Sequence, residues 1–353
     1  ARAVAQHGLA VPIGTWETVG CGLVLQGGIG HLTRYASVTA DNILEVEAVL
    51  PNGDIKVLNN KSEGLDKDIF WGIRGAGPAL AVVTKIILRA YPITSVKYTR
   101  VIRKSATDDE DVAFLRKCEL ALRKLPKEQS CDIHIGSGND NEITLGLFPM
   151  TLLDKKFDSN FTDALGFTED SLMECSYCDY PGASLASQDK QTEGRDEAAF
   201  SAQTAAGVLT YMRNMFVDEL PSEAWHVIVG AVKNRPTAMC SVALQHTGGT
   251  VRSTEAGIFR CRDFEFSVVI GSMWTENQTD MRNKCMKWAD ELWQKLLEFG
   301  TGTYPADVDN FRRSDRIESE LELAFGKNLK RLRQLKKIID PESILKGTYA
   351  LNS

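Results

Sequence analysis

The sequence lacks any apolar stretch long enough to cross a membrane. A spanning helix needs roughly 18 or more consecutive apolar residues, and the longest candidates here, such as FEFSVVIGSMW at 264–274, are shorter and typical of buried strands. An excess of positive charge is also missing, because 41 lysines and arginines face 47 acidic residues and leave a formal net charge of −6. We therefore expect neither a membrane nor a nucleic acid as partner.

Two common phosphate-binding motifs are missing as well. A P-loop ends in Gly-Lys-Ser/Thr, but no lysine precedes Lys56. A dinucleotide fingerprint that starts at Gly20 needs glycine at position 25, which is Leu25. If this part of the chain holds a cofactor, the sequence predicts that it does so in another way.

Cysteines are too few for a disulfide framework, since there are eight in 353 residues. Cys175 and Cys178 form a single C-x-x-C pattern, and no second pair or histidine follows at the spacing of a zinc site. A redox dithiol needs its first cysteine at a helix start, and the neighbouring tyrosines and Pro181 do not favour that context. Two unrelated thiols are the preferred interpretation.

Glycine, in contrast, is concentrated near the start. The stretch TVGCGLVLQGGIGHLTRY at 18–35 holds five glycines within eleven positions: Gly20, Gly22, Gly27, Gly28 and Gly30. Such a cluster indicates positive φ angles or a close approach of the backbone to another group. A tight loop packed on its own protein and a phosphate or flat ring lying against backbone N–H groups both fit this pattern.

The first 97 residues have the pattern of an α+β unit, and the length of the chain favours two domains. ILEVEAVLPNGDIKVLN at 43–59 alternates apolar and polar residues around an Asn-Gly turn, which predicts a hairpin. DIFWGIRGAG predicts a short helix that ends at a glycine turn, and AVVTKIILRAYP predicts a strand closed by Pro92.

A second region begins near Ser95 and combines helices with the strands of one sheet. DEDVAFLRKCELALRKLP and MRNKCMKWADELWQKLLEF predict amphipathic helices, whereas CDIHIGSG, NEITLGLFPM, CSVALQHTGG and FEFSVVIGSMW predict strands. The polar stretch at 182–203 predicts a long mobile connection. The last helical stretch is interrupted at Gly326 and stops at Asp340-Pro341, and its basic run at 327–337 is best interpreted as a solvated helix face.

The order of these pieces resembles the FAD-linked oxidases of the vanillyl-alcohol oxidase and p-cresol methylhydroxylase (PCMH-type) fold. The resemblance is strongest from Gly14 to Thr84, and the segment from Tyr304 to Leu345 is similar to the end of the berberine bridge enzyme branch. It implies an α+β fold in which 1–97 is the second half of an FAD-binding domain. It also implies a substrate-binding domain at 98–310, with an antiparallel sheet backed by helices, and a segment at 311–353 that returns to the FAD domain.

The resemblance implies FAD as the cofactor. It places the glycine run beside the flavin and pyrophosphate, and a segment that includes Val82 and Val83 beside the adenine half. The implied cofactor-binding residues are Thr18, Gly20, Cys21, Gly22, Gly27, Gly28, Gly30, Val82 and Val83.

Several positions depart from the family pattern. The cysteine that often binds flavin covalently is replaced by Trp16, Cys21 lies in a different register, and the histidine-bearing N-terminal loop is not in this chain. We therefore expect non-covalent FAD. Pro78, Ala79 and Ala81 stand where the family prefers glycine, asparagine and glycine.

The resemblance also implies the catalytic residues. Tyr304 matches the tyrosine of a Tyr-x-Asn motif whose asparagine is here Ala306, and Arg262 matches an arginine that the family precedes with histidine, here Cys261. A phenol with a pKa of about 10 needs a cation or hydrogen bonds to act as a base. Tyr304 as a general base and Tyr304 as an ordinary core residue both remain open.

The implied function is oxidation of a hydroxyl or related C–H group of a sugar or secondary metabolite, by hydride transfer to FAD, with molecular oxygen as a candidate acceptor. The alternative is a non-catalytic or partial family member that keeps the fold without productive FAD binding. The sequence indicates neither the substrate nor the cellular compartment.

Overall fold

The computed structural model describes residues 2–15, 20–138, 142–180, 207–254, 256–308, 317–346 and 351. The predicted connection at 182–203 lies outside these residues. The helices of the described chain are α1 Arg2–Ala5, α2 Gly20–Val24, α3 Thr33–Ala36, α4 Gly64–Ala76, α5 Asp108–Leu122, α6 Ser159–Leu165, α7 Ser222–Lys233, α8 Met281–Leu296, α9 Ile317–Phe325 and α10 Leu329–Ile339.

The strands confirm an α+β chain with antiparallel pairing. They are β1 Ile43–Val49, β2 Ile55–Asn59, β3 Val82–Leu88, β4 Ser95–Tyr98, β5 Val101–Lys104, β6 Gln129–Ser137, β7 Ile143–Leu152, β8 Met173–Ser176, β9 Val208–Val217, β10 Ser241–His246, β11 Phe266–Thr275 and β12 Gly300–Gly302.

The chain divides into two compact units. The first unit comprises Ala1–Pro92, Gly248–Asp263 and Thr301–Ser353, and the second comprises Ile93–Thr247 and Phe264–Gly300. Residues 248–263 and 301–310 therefore lie in the first unit, whereas the sequence placed them in the middle domain. The assignment of FAD and substrate binding to these regions stays a prediction.

The first unit is built on a three-stranded sheet in the order β2-β1-β3. β1 and β2 form the predicted antiparallel hairpin, with Val49 opposite Ile55 and Gly53 at a φ of 87° in the turn. Helix α4 buries Ile69, Phe70 and Ile73 on one face. It also approaches α10 closely, because a Cβ at Gly72 would lie 3.1 Å from a methyl group of Leu335.

The second unit is built on an antiparallel sheet in which the strands run in the order β9-β11-β10-β6-β7-β4-β8, with β5 paired to β7. All four predicted strands of this region are present as β6, β7, β10 and β11. Helix α8 packs against β9 and β11, and Trp293 fixes it by donating from its indole N–H to the carbonyl of Asn214 at 2.7 Å. Trp225 of α7 is fully buried.

No helix within the described ranges is long and apolar enough to cross a membrane.

Candidate functional site

The second half of the glycine run forms a buried turn in the first unit. Gly27 and Gly28 have φ angles of 133° and 87°, which disfavour any residue with a side chain. Their carbonyl groups accept hydrogen bonds from the N–H groups of Ala40 and Thr39, at 2.7 and 2.8 Å. A Cβ at Gly28 would lie 2.4 Å from Oγ1 of Thr39. The turn is therefore held rigidly by the chain itself.

The turn presents one backbone N–H to Tyr304. The N–H of Gly28 donates to the Tyr304 hydroxyl oxygen at 2.6 Å, and the Tyr304 side chain is buried. A Cβ at Gly27 would lie 2.9 Å from the rings of both Tyr304 and Phe259, which meet edge to face at 6.3 Å between centroids. An N–H aimed at a phenol oxygen stabilises negative charge on that oxygen.

Arg262 pairs with a carboxylate rather than donating to Tyr304. Its two terminal nitrogens donate to Oδ2 and Oδ1 of Asp41 at 2.5 and 3.0 Å. Asp41 also accepts from Oγ of Ser37 at 2.6 Å. The Arg262 guanidinium lies over the ring of Phe259 at 5.4 Å. Arg262 therefore contacts the same phenyl ring that packs on Tyr304.

The first half of the glycine run has different surroundings. Gly20, Cys21 and Gly22 are exposed in α2. A Cβ at Gly20 or Gly22 would meet no described atom within 4 Å, so nothing in the described chain crowds these two positions. The predicted contact Thr18 and the departure Trp16 lie outside the described residues.

Two further predicted positions have local structural roles. A Cβ at Gly30 would lie 1.8 Å from the carbonyl oxygen of Ile13, so its backbone approaches another segment very closely. Val82 and Val83 begin β3 opposite Val49 and Ala48, and Val82 is 54 % exposed. Their role beside a cofactor stays a prediction.

Arg74, beside the glycine turn, was not predicted as a site residue from the sequence. Arg74 lies at the end of α4, and the N–H groups of Gly75 and Gly77 both donate to the carbonyl of Leu25 at 3.1 Å. Arg74 is only 8 % exposed. The sequence motif IRG could have indicated this residue, because it places an arginine among the apolar residues of α4. A charged side chain is rarely buried in such a position without a partner.

Two titratable residues beside these segments, His31 and Cys261, are neutral at pH 7. Burial lowers the pKa of His31 to about 4. Burial raises the pKa of Cys261 to about 11, against the opposing effect of Arg260 and Arg262. Cys261, which replaces the family histidine, is therefore a protonated thiol. Within the described ranges no three His, Cys, Asp or Glu side chains are grouped so that they could hold a metal ion.

Two observations indicate that these residues could hold a bound FAD. Gly22 is a glycine without a positive φ and without a neighbour that would exclude a side chain, which leaves room for an external group against its backbone. The Nε of Arg74 is buried and has no hydrogen-bond partner within the described part of the chain, and FAD carries oxyanions that a guanidinium recognises.

Comparison with known proteins agrees with the resemblance. An FAD-linked oxidoreductase of Dictyostelium discoideum is 25 % identical over 98 % of this chain and 71 % of its own length. One of Penicillium rubens is 26 % identical over 98 % of this chain and 72 % of its own length. The crystal structure of berberine bridge enzyme from Eschscholzia californica matches with a TM-score of 0.81 at 19 % identity, over 99 % of this chain and 74 % of that one. No family model matches the chain.

The fold is therefore that of berberine bridge enzyme, as the sequence predicted. Over nearly its whole length the chain is similar to FAD-linked oxidoreductases and to berberine bridge enzyme-like proteins.

Proposed function

We propose that this protein oxidises a hydroxyl or related C–H group of a small molecule with non-covalently bound FAD. The observation that carries the proposal is the buried hydrogen bond from the Gly28 N–H to the Tyr304 hydroxyl, within the glycine run that the family places beside its flavin. Sugars and secondary metabolites are the proposed substrates, and molecular oxygen is the proposed electron acceptor.

The FAD would be held by the glycine run and by the start of β3. Gly20, Cys21 and Gly22 offer an exposed backbone, and Gly27, Gly28 and Gly30 fix the turn behind it. Thr18, Val82 and Val83 complete the proposed set. A flavin supplies the acceptor for a hydride from the substrate carbon.

Tyr304 is the proposed general base, which takes the proton of the substrate hydroxyl. The Gly28 N–H supports this role because it stabilises the negative charge that the phenol oxygen must carry before it accepts the substrate proton. Arg262 is proposed to hold Phe259, and through it the Tyr304 ring, while its own charge is balanced by Asp41.

Cofactor attachment is tested by acid precipitation of the FAD-loaded protein. We expect the colour in the supernatant, because Trp16 cannot form a thioether. Colour that stays in the washed pellet would contradict non-covalent binding and would point to Cys21, which is a free and exposed thiol.

A specific observation also supports the alternative of a family member without productive FAD binding. The methyl groups of Ala79 and Ala81 are buried, at 1 % and 4 % exposure, where the family prefers smaller or more polar residues. Anaerobic mixing of the FAD-loaded protein with a panel of sugars and alcohols separates the two functions. Bleaching of the flavin by a panel member supports the oxidoreductase, and a flavin that no member reduces supports the alternative.

A further inference from the structure

Arg74 is a buried cation with an unsatisfied nitrogen. Its Nε atom is inaccessible and has no hydrogen-bond partner among the described residues. Its guanidinium stacks on the ring of Phe70 at 4.3 Å, a contact that uses the face of the group and leaves the N–H edge unused. A buried guanidinium nitrogen that lacks a hydrogen-bond partner is costly.

The acidic group that acts electrostatically on Arg74 is already paired with another cation. Asp41 influences Arg74 electrostatically, but both its oxygens already accept from Arg262, and one accepts from Ser37 as well. The cluster therefore holds two guanidinium groups and one carboxylate. Burial lowers the pKa of Arg74, the charge of Arg262 lowers it further, and Asp41 opposes both effects.

The backbone fixes Arg74 from two sides. Leu25 accepts hydrogen bonds from the two N–H groups that follow Arg74, those of Gly75 and Gly77. On the other side a Cβ at Gly257 would lie 2.4 Å from the Arg74 carbonyl oxygen. The backbone around Arg74 is thus bonded to Leu25, which lies two residues before Gly27 and the buried glycine turn.

We propose that Arg74, supported by Arg262, forms an oxyanion-binding site in the first unit. A guanidinium presents parallel N–H donors that match the oxygens of a phosphate, and an anion would both use the free edge and balance the excess positive charge. The phosphate is either a free anion or the phosphate of a flavin nucleotide. Only the second source rests on the proposed function.

The test compares three variants of the full chain by calorimetric titration with inorganic phosphate, FMN and riboflavin at matched ionic strength. Arg74→Met removes the charge and keeps the aliphatic stem, and Arg74→Lys keeps the charge but loses the fork. Arg331→Met is the matched control, because Arg331 is an exposed arginine of the same unit that stacks on Trp71 and pairs with Asp68.

We expect Arg74→Met to weaken the affinity for the oxyanion about 10- to 100-fold, with a smaller loss for Arg74→Lys and none for Arg331→Met. Binding of inorganic phosphate that depends on Arg74 identifies a free anion. Binding of FMN that depends on Arg74, with riboflavin insensitive to the substitution, identifies a nucleotide phosphate. If riboflavin and FMN both fail to bind while phosphate binds through Arg74, the proposed flavin function fails and the oxyanion site stands.

Thermal unfolding without ligand provides the second measurement. We expect the unfolding midpoint of Arg74→Met to equal or exceed that of the unsubstituted protein, because the variant removes a buried charge that has no hydrogen-bond partner at Nε. Affinities for phosphate and FMN that do not change in Arg74→Met would overturn the proposal, whether or not the variant is less stable.

Discussion

Removing the Tyr304 hydroxyl distinguishes a catalytic role of this residue from a packing role. The Tyr304→Phe variant keeps the ring against Phe259 but loses the oxygen that accepts from Gly28. We expect the rate of flavin reduction by a substrate from the alcohol panel to fall by roughly two to four powers of ten, which is the usual contribution of a positioned general base. FAD affinity should barely change. Rapid mixing with absorbance detection measures the rate.

A matched control for this variant is Tyr91→Phe in the same unit. The Tyr91 hydroxyl donates to Oδ1 of Asn42 at 2.7 Å, so the control loses a comparable hydrogen bond. Either loss costs about 1–3 kcal/mol of stability if a polar group is left unpaired. A reduction rate that is the same in Tyr304→Phe, Tyr91→Phe and the unsubstituted protein would remove Tyr304 from the mechanism.

Two glycines of the same run should respond differently to a single methyl group. Gly28→Ala forces an alanine to a φ of 87° and onto Thr39, which should cost about 1–3 kcal/mol of stability. Gly22→Ala meets nothing within 4 Å, so its unfolding free energy should change by less than about 0.5 kcal/mol. If FAD lies against Gly22, the same variant should bind FAD about tenfold more weakly. An unchanged FAD affinity would place the cofactor elsewhere.

At the scale of elements, the end of α10 is fixed by a buried ion pair. The ammonium of Lys336 donates to the carboxylate of Asp340 and to the carbonyls of Ala79 and Leu345, the last two at 2.7 and 2.6 Å. Burial raises the pKa of Asp340, but hydrogen bonds from Lys336 and from the N–H groups of Ile344 and Leu345 hold it below its ordinary value. This cluster joins the C-terminal segment to the turn before β3.

Lys336→Met should destabilise the protein by about 3–5 kcal/mol, because it leaves the Asp340 carboxylate buried without its cation. The control Lys337→Met removes an exposed lysine from the next position and should have little effect. Because the pKa of Asp340 is lowered in the folded state, its contribution is present above the unfolded value of about 3.9 and is lost as the pH falls through the folded value. Urea unfolding at several pH values measures both effects. Equal losses in the two variants would contradict the ion-pair account.

Strand β6 carries Asp132, whose pKa is raised in the folded protein, in contrast to that of Asp340. Burial raises the pKa of Asp132 to about 6, although the backbone N–H of His246 donates to it at 2.8 Å. The folded state then holds the proton more tightly than the unfolded chain, so stability should fall as the pH rises from about 4 to about 6 and stay level above that.

The Asp132→Asn variant tests this, since an amide oxygen still accepts from His246. It should be more stable than the unsubstituted protein at pH 7, by up to about 3 kcal/mol, and should lose this advantage near pH 4. The exposed Asp163→Asn serves as the control. An advantage that is constant with pH would mean that Asp132 is charged at both values.

Elements with strong local signals were predictable from the sequence. The hairpin of β1 and β2 follows from alternation around Asn52-Gly53, and α8 follows from its apolar spacing. Strand β9 was missed because its sequence VLTYMRNMFV carries polar residues at buried positions. Helix α7 was also missed, although its five buried apolar residues recur at helical spacing. The buried Arg213 of β9 packs on Trp293, a compensation that only the folded chain reveals.

The residues of the candidate site could be predicted only where they belong to a local sequence motif. Motif resemblance predicted Tyr304, Arg262 and the glycine run, because these positions sit in recognisable strings. The Asp41 partner of Arg262 lies 221 positions away in the sequence. The Nε of Arg74 has no partner among the described residues, and this depends on segments that only folding brings together. No local pattern carries such information.

At the scale of the whole molecule, the chain crosses between its two units four times. Residues 248–263 leave the second unit and contribute Phe259 and Arg262 to the first, and 301–308 contribute Tyr304. When domain boundaries are predicted from sequence composition, short segments of this kind are assigned to the domain that surrounds them in the sequence. This explains why the predicted boundary at 310 differs from the boundary of the compact unit.

Whether the purified chain binds FAD decides the proposed function. The protein is incubated with excess FAD and separated from free cofactor by gel filtration, and its absorbance is recorded before and after addition of dithionite. We expect about one FAD per chain in the protein peak, with a flavin spectrum that bleaches on reduction. A protein peak that carries no flavin would contradict FAD as the cofactor of this chain.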